Sequence, residues 1–227
     1  GKLKKRNAVL AEAAAALTAT VEDWPEAPLM EGGSPYRERF RQGATMVPRS
    51  LCVVERVAAS GLGGTASAPL VRSRKNNLEK EPWRSLPPLQ MNVEREALRD
   101  LYLGESIAPF RLLEPALCVI PWDGERLVDA SGAGLVGLPK LATWMLEAEA
   151  LWNSSSAGKM TLPERWDFHG GLSAQFPIPA LRVIYTASGT VPAVAVLRDS
   201  SAIVEHGAYS VAATSESEAY YLGSILN

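Results

Sequence analysis

The sequence predicts an α+β fold of mixed, mostly antiparallel sheets with several helices, led by an amino-terminal connecting helix. Short β-branched runs recur along the chain, bounded by glycine, proline, serine or Asp-Gly. Helix-periodic stretches are present too, but they do not alternate regularly with those runs, which argues against a doubly wound parallel sheet. With 227 residues and 47 % hydrophobic content the chain can bury a substantial core, and no internal repeat divides it.

Residues 2–20 read as the connecting helix, because Lys, Arg, Ala, Glu and Leu dominate and Leu3, Leu10 and Leu17 recur on one face. Pro25 and Pro28 end it, and Gly32, Gly33 and Pro35 make a turn. Residues 1–30 are therefore expected to form a helix and linker, and 31–227 the functional domain. Residues 51–57 form a buried strand, 58–68 a Gly/Ser-rich loop, and 70–75 a strand that leaves basic residues at its end. Pro82, Pro87 and Pro88 interrupt the chain before 92–103, where Val93, Leu98, Leu101 and Tyr102 suggest a short helix. Residues 110–121 read as strand and 122–125 as a turn. A helix over 138–152 places Leu141, Trp144, Met145, Ala148 and Trp152 on one side, and 153–158 is a polar break. Residues 181–185, 193–197 and 208–212 are three further strands. Ser215 then opens a terminal helix with carboxylates in its first turn.

The formal net charge is only −2, so the chain as a whole lacks the strongly basic signature of many nucleic-acid binders. Its distribution is uneven: residues 1–84 hold 14 Lys/Arg against 9 Asp/Glu, and the remainder 9 against 16. Such asymmetry suits a polyanion-facing side and a solvated or partner-facing side. Cys52 and Cys118 lie in apolar runs and read as small buried hydrophobes. No apolar run is long enough to span a membrane, and a cytoplasmic protein is expected. The first residue is Gly1, and residues 221–226 lead to Asn227 without a helix-ending signal, so a segment of a longer polypeptide is expected.

Catalytic chemistry is poorly represented. His169 and His206, the two histidines, have no second ligand at metal-binding spacing, so no metal is expected. Ser188 with His206 is too generic for a hydrolase, and Ser188-Gly189-Thr190 reads as a hairpin turn. Gly61, Gly63 and Gly64 follow a strand, but basic Arg72 to Lys75 stand where a Rossmann-like site needs an acidic residue, so a flexible connection and no cofactor are expected. The amino-methylase tetrapeptide (Asn/Asp/Ser-Pro-Pro-aromatic) is absent. No catalytic residue is therefore assigned.

The most informative segment runs from Tyr36 into the strand at Leu51, with Arg37, Arg39, Arg41 and Arg49 around Gly43-Ala44-Thr45. Arginine presents a planar fork that suits phosphates and base edges. On an extended segment Arg37, Arg39 and Arg41 share one face, and Glu38 and Phe40 take the other. These cations are expected to contact duplex DNA phosphates. Base edges would be read by Arg49, Arg72, Arg74 and Lys75 from the first half, and by Arg182, Tyr185, Thr186 and Ser188 from the 181–190 strand and turn. The competing expectation for any one arginine is a solvated charge or an ion pair with Glu38 or Glu55. Trp83, Trp122, Trp144, Trp152 and Trp166 offer faces for an unstacked base, with Trp144 and Trp152 assigned to packing.

Three blocks, residues 34–55 ("RFRQGATMVPRSLCVVE"), 110–122 and 172–227 ("LSAQFPIPALRVIYTASGT", "AYYLGSILN"), resemble the carboxy-terminal target-recognition region of bacterial adenine-specific (N-6) DNA methylases of restriction-modification systems. The resemblance implies a domain that recognises double-stranded DNA beside a methyltransferase domain lying elsewhere, with S-adenosylmethionine bound by that parent protein and not by this chain. It also implies that the terminal helix continues beyond Asn227. An alternative expectation is a protein–protein interaction module whose acidic half docks a partner subunit.

Overall fold

A computed structural model describes residues 34–36, 38–58, 64–75, 79–156, 158–189 and 193–227. The chain divides into Gly1–Arg37 and Glu38–Asn227, and every element below belongs to the second unit. The expected connecting helix, Arg37 and residues 59–63 of the 58–68 loop lie outside the described residues.

Among the described residues, twelve strands and four α-helices give the expected α+β class, with mostly antiparallel pairing. The strands are β1 (Arg41–Gln42), β2 (Val53–Arg56), β3 (Leu70–Ser73), β4 (Gln90–Asn92), β5 (Leu98–Tyr102), β6 (Ile107–Ala108), β7 (Arg111–Leu112), β8 (Ala116–Val119), β9 (Arg182–Thr186), β10 (Val194–Leu197), β11 (Ile203–Val204) and β12 (Ala208–Ala212). The helices are α1 (Ala130–Leu135), α2 (Pro139–Ser155), α3 (Leu162–Trp166) and α4 (Glu216–Leu226). A six-stranded sheet has the order β11-β5-β8-β2-β3-β4, a four-stranded sheet the order β1-β12-β9-β10, and β6 and β7 form a hairpin.

The larger core joins the six-stranded sheet to α1, α2 and α3. Trp144 and Met145 of α2 are completely buried there with Leu51, Leu101 and Trp166. The buried indole of Trp144 donates to the Leu51 carbonyl at 3.0 Å, so its one polar atom is satisfied. The amino terminus of α2 is held by Glu94, whose carboxylate accepts from the N–H groups of Lys140 (2.8 Å) and Leu141 (2.7 Å). Free helix N–H groups are thereby paired with an anion at the positive end of the dipole. A smaller core lies where the four-stranded sheet meets β11 and the hairpin, around Ile184, Leu197, Val204 and Ala208. Helix α4 packs on β9 and β10 and buries Ala219 and Leu222.

Two edge strands are closed by side-chain amides. Gln175 accepts from the Val204 N–H and donates to the Val204 carbonyl, both at 2.9 Å, on β11. Asn227 does the same to Val194 of β10, at 2.9 and 3.1 Å. Each amide takes the place of a neighbouring strand and leaves no open ladder at that residue.

The β2, β3, β9, β10 and β12 expectations hold, as do α2, the 122–125 turn and the terminal helix with Ser215 as its cap. The expected helix over 92–103 is incorrect. Its residues form the end of β4, a 3₁₀ turn at Arg95–Ala97 and then β5, where Leu98 pairs with Val119 and Leu101 with Ala116. Pairing with a strand distant in sequence satisfies that backbone and overrides local helical preference. Helix α2 extends through Ser155 into the expected polar break. The short α3 is opened by a capping box of Thr161 and Glu164.

The chain passes between the two large sheets four times, after β1, β8, β10 and β11, and the first and last of these crossings touch. After β1 it moves through Gly43 and Ala44 toward β2, and after β11 it moves through Glu205, His206 and Gly207 into β12. Ala44 bridges Glu205 in parallel, its N–H donating to the Val204 carbonyl (2.8 Å) and its carbonyl accepting from the His206 N–H (2.8 Å). Only glycine fits at position 43, because a Cβ there would lie 2.3 Å from the Val204 carbonyl oxygen and 2.5 Å from that of Glu205. We expect Gly43→Ala to lower unfolding stability by about 3 kcal/mol, the upper part of the usual overpacking range, in urea denaturation followed by tryptophan fluorescence.

The start of α4 is fixed by Glu218. Its carboxylate accepts from the Thr214 N–H (2.6 Å), the Thr214 hydroxyl (2.7 Å) and Arg39 Nη1 (2.9 Å). The Thr214 backbone and side-chain bonds, followed by Arg39, pull its pKa down to about 2. A carboxyl depressed on folding stabilises above its unfolded pKa, about 4.3, and loses that contribution as pH falls toward the folded value. Between pH 4.5 and 3 the wild-type denaturation midpoint should therefore fall faster than that of Glu218→Gln.

Candidate nucleic-acid interface

Two clefts of about 730 Å³ each open beside the double crossing and share Val47, Arg165 and His206 at their junction. The first is bordered by Arg39, Arg41, Arg165 and both histidines, with Gln42 and Thr45 between them. Among the described residues that line it there is no Asp or Glu. The second has Arg49, Lys80 and Glu79 on its walls and the indoles of Trp83 and Trp152 beside them.

Beneath the junction lies Glu205, with 0 % exposure. Its Oε1 is 3.0 Å from Arg49 Nη2 and 2.6 Å from His206 Nδ1, and its Oε2 accepts from the Gly207 N–H at 2.8 Å. Burial alone would raise this carboxyl, but His206, the Gly207 N–H and the Arg49 charge together leave it below the ordinary carboxylate range. The backbone fixes His206 as well, since its N–H donates to the Ala44 carbonyl and its carbonyl accepts from Gln42 Nε2 at 2.9 Å. With Nδ1 turned to the buried carboxylate, the half-exposed imidazole borders both clefts.

The expected site residues divide into several groups. Arg39 and Arg41 both border the first cleft and Phe40 turns to Tyr185, as the alternation requires; Arg37 lies outside the described residues. Arg39 is anchored by Glu218 and by the Ala212 carbonyl (2.8 Å). Arg41 is exposed and has no ion-pair partner among the described residues. Arg49 faces the second cleft. Arg72 is tied to Glu55, its direct neighbour across β2 and β3, as the competing expectation had it. Arg74 and Lys75 are exposed past the end of β3 and border neither cleft.

Arg182 lines the first cleft, but as a buried and anchored side chain where a free one was expected. It is 2 % exposed, and its Nη2 donates to the carbonyls of Asp199 (2.9 Å) and Ala202 (2.7 Å). Those two bonds make it an internal brace, and burial draws its guanidinium down to about 10. Tyr185 stacks on Tyr209 with centroids 5.1 Å apart and meets Phe40 edge-on, away from the clefts. The Thr186 N–H pairs with Ala193, and Ser188 is exposed on the turn after β9.

Sequence reasoning missed Arg165, Glu205 and the joining of His169 with His206 in one cleft. Glu205 had a signal, being the lone carboxylate in the apolar run Ala202-Ile203-Val204 to Ala208. The histidines had none, because 37 residues separate them in sequence. Among the described residues no group of histidine, cysteine and carboxylate side chains could hold a metal ion, and no helix is long and apolar enough to cross a membrane.

No protein-family model matches the chain, and no curated protein matches it.

Removing Glu205 would strand the Gly207 N–H and free Arg49 from its anchor. Loss of one partner of a buried pair costs about 3–5 kcal/mol, and Arg49 can still reach water. Glu205→Ala should therefore destabilise the chain by about 3 kcal/mol, and Glu205→Gln, which keeps an acceptor for Gly207, by clearly less, both measured by urea denaturation.

Proposed function

We propose that this chain recognises a target sequence in duplex DNA for an adenine-specific methyltransferase, and that the adjoining catalytic domain, which binds S-adenosylmethionine, lies outside it. The observation that carries this reading is the first cleft, where arginines and both histidines line an open concavity free of described carboxylates. A polyanion gains there from Arg41 and Arg165, which have no ion-pair partner among the described residues, and from Arg39, anchored from behind by Glu218. The resemblance of residues 34–55 supports the reading further, because that block supplies Arg39, Arg41 and the Gly43 crossing that positions them.

In this reading Arg41 and Arg165 contact phosphates. Gln42, Thr45 and the two histidines stand close enough to them to reach base edges, since the same cleft holds them all. Anchoring by Glu218 and Glu205 fixes the forks of Arg39 and Arg49 before any ligand arrives, which reduces the side-chain ordering that binding requires. The chain by itself would hold and read DNA and leave turnover to the catalytic domain.

A second reading, a surface for a partner protein, is favoured by one observation: Tyr220, Tyr221 and Ile225 of α4 are 58–62 % exposed. The two readings use different residues and are compatible, since a recognition domain must also dock to its catalytic neighbour.

Binding of duplex DNA followed by fluorescence anisotropy at increasing salt tests the proposal. Each of Arg41→Ala and Arg165→Ala should lower the slope of log affinity against log salt by about 1, the loss of one phosphate contact. Arg72→Ala, away from the clefts, should leave that slope unchanged. A folded chain with no salt-dependent affinity for duplex DNA would refute the reading.

A further inference from the structure

The second cleft carries features that phosphate binding does not explain. Trp83 lies on Trp152 with ring centroids 5.2 Å apart and planes 16° from parallel. The inner indole is locked, its Nε1 donating to the Met160 carbonyl at 2.7 Å, whereas Trp83 is only half-buried and lines the cleft. Trp83 is therefore a backed, rigid aromatic wall. Arg49 uses Nη2 on Glu205, and its other guanidinium donors have no partner among the described residues. Arg165 lines this cleft as well as the first. Glu79 lines it too. Its Oε1 accepts from the Ser50 N–H at 3.3 Å, and its Oε2 is buried with no hydrogen-bond partner among the described residues. A buried acceptor without a donor is costly unless a ligand supplies one.

A planar apolar wall, cationic forks and an orphaned acceptor converge in a volume suited to a small ligand. We propose that this cleft binds one nucleotide, its base stacked on Trp83, its phosphate held by Arg49 and Arg165, and an exocyclic amino group of the base donating to Glu79 Oε2. Adenine and cytosine present such a group, and thymine does not. A site built to accept that hydrogen bond discriminates against a base that lacks the donor. Glu81, the other carboxylate on the cleft, is already engaged by Arg84 at 2.7 Å. The nucleotide is either free or extruded from a bound strand. The chemistry of the site is the same for both, and it does not depend on the duplex reading of the first cleft.

The full chain titrated with AMP, CMP and TMP, followed by tryptophan fluorescence, tests the proposal. Saturable quenching by AMP or CMP is expected, with TMP at least tenfold weaker. Trp83→Leu should weaken binding by about tenfold or more, the scale of one base–aromatic stack, and Glu79→Gln should narrow the gap between AMP and TMP. In a second arm, 2-aminopurine placed in a duplex reports extrusion by brightening on binding. Brightening that Trp83→Leu abolishes, with duplex affinity held within about twofold, identifies the extruded nucleotide as the occupant. Quenching by AMP without brightening identifies the free nucleotide. The proposal is overturned if neither arm responds while circular dichroism shows a folded chain, or if Trp83→Leu leaves both responses unchanged. Failure of duplex binding with AMP binding intact would refute the reading of the first cleft and leave this one standing.

Discussion

A single buried carboxylate sits where the chain crosses between its two large sheets. Glu205 receives Arg49 from the segment entering β2, touches the imidazole of the residue that follows it, and closes on the Gly207 N–H. The backbone around it is stitched to Ala44 and Tyr102. One sheet, the other sheet and the mouth of both clefts therefore share one electrostatic anchor. A charge buried at such a place is tolerated only when its oxygens are fully engaged, and those engagements in turn fix the direction of the groups that supply them. Arg49 and His206 are held in place by the same interaction that makes Glu205 tolerable.

The charge pattern follows from the same logic. A chain with a net charge of −2 presents a cationic concavity because many of its carboxylates are used elsewhere. Glu94 holds the start of α2, Glu218 the start of α4, Glu55 faces Arg72 across a strand pair, and Glu216 clasps Arg198. Each is removed from the cleft by a local structural task. The cations that remain on that cleft are either unpaired, as Arg41 is among the described residues, or anchored from behind, as Arg39 is. Total charge is a poor guide to such a surface, and the division of carboxylates between caps, pairs and core is a better one.

The edges of the two sheets show a related economy. Gln175 and Asn227 each offer one amide oxygen and one amide nitrogen to a strand residue, supplying what a neighbouring strand would supply. Gln175 also borders the first cleft and bonds the Gly171 carbonyl at 2.9 Å, so the loop that carries His169 is tied to the strand that leads to Glu205. The cleft wall and the sheet edge are thus one connected unit.

Much of this was legible from residue order, and the limits of that reading are instructive. Apolar spacing placed Leu141, Trp144, Met145, Ala148 and Trp152 on the buried side of α2, and Ser215 with its following glutamates marked α4, because both signals depend on near neighbours along the helix. The alternation of Arg39 and Arg41 against Phe40 was equally local and survived folding. Residues 92–103 misled because their fate lay in a strand pairing with Ala116–Val119, a contact that local preference does not register. Arg182 misled for a similar reason: a charged residue in a strand is ordinarily exposed, and only the approach of the 199–202 loop carbonyls allowed this one to be buried. The sequence by itself determined the class of fold, the two longest described helices, α2 and α4, and the strands β2, β3, β8, β9, β10 and β12, since these arise from periodicities a few residues long. Only the tertiary structure decided that Arg41, Arg165, His169 and His206 share a cleft and that Glu205 lies beneath it, because proximity between distant segments is set by how two sheets cross.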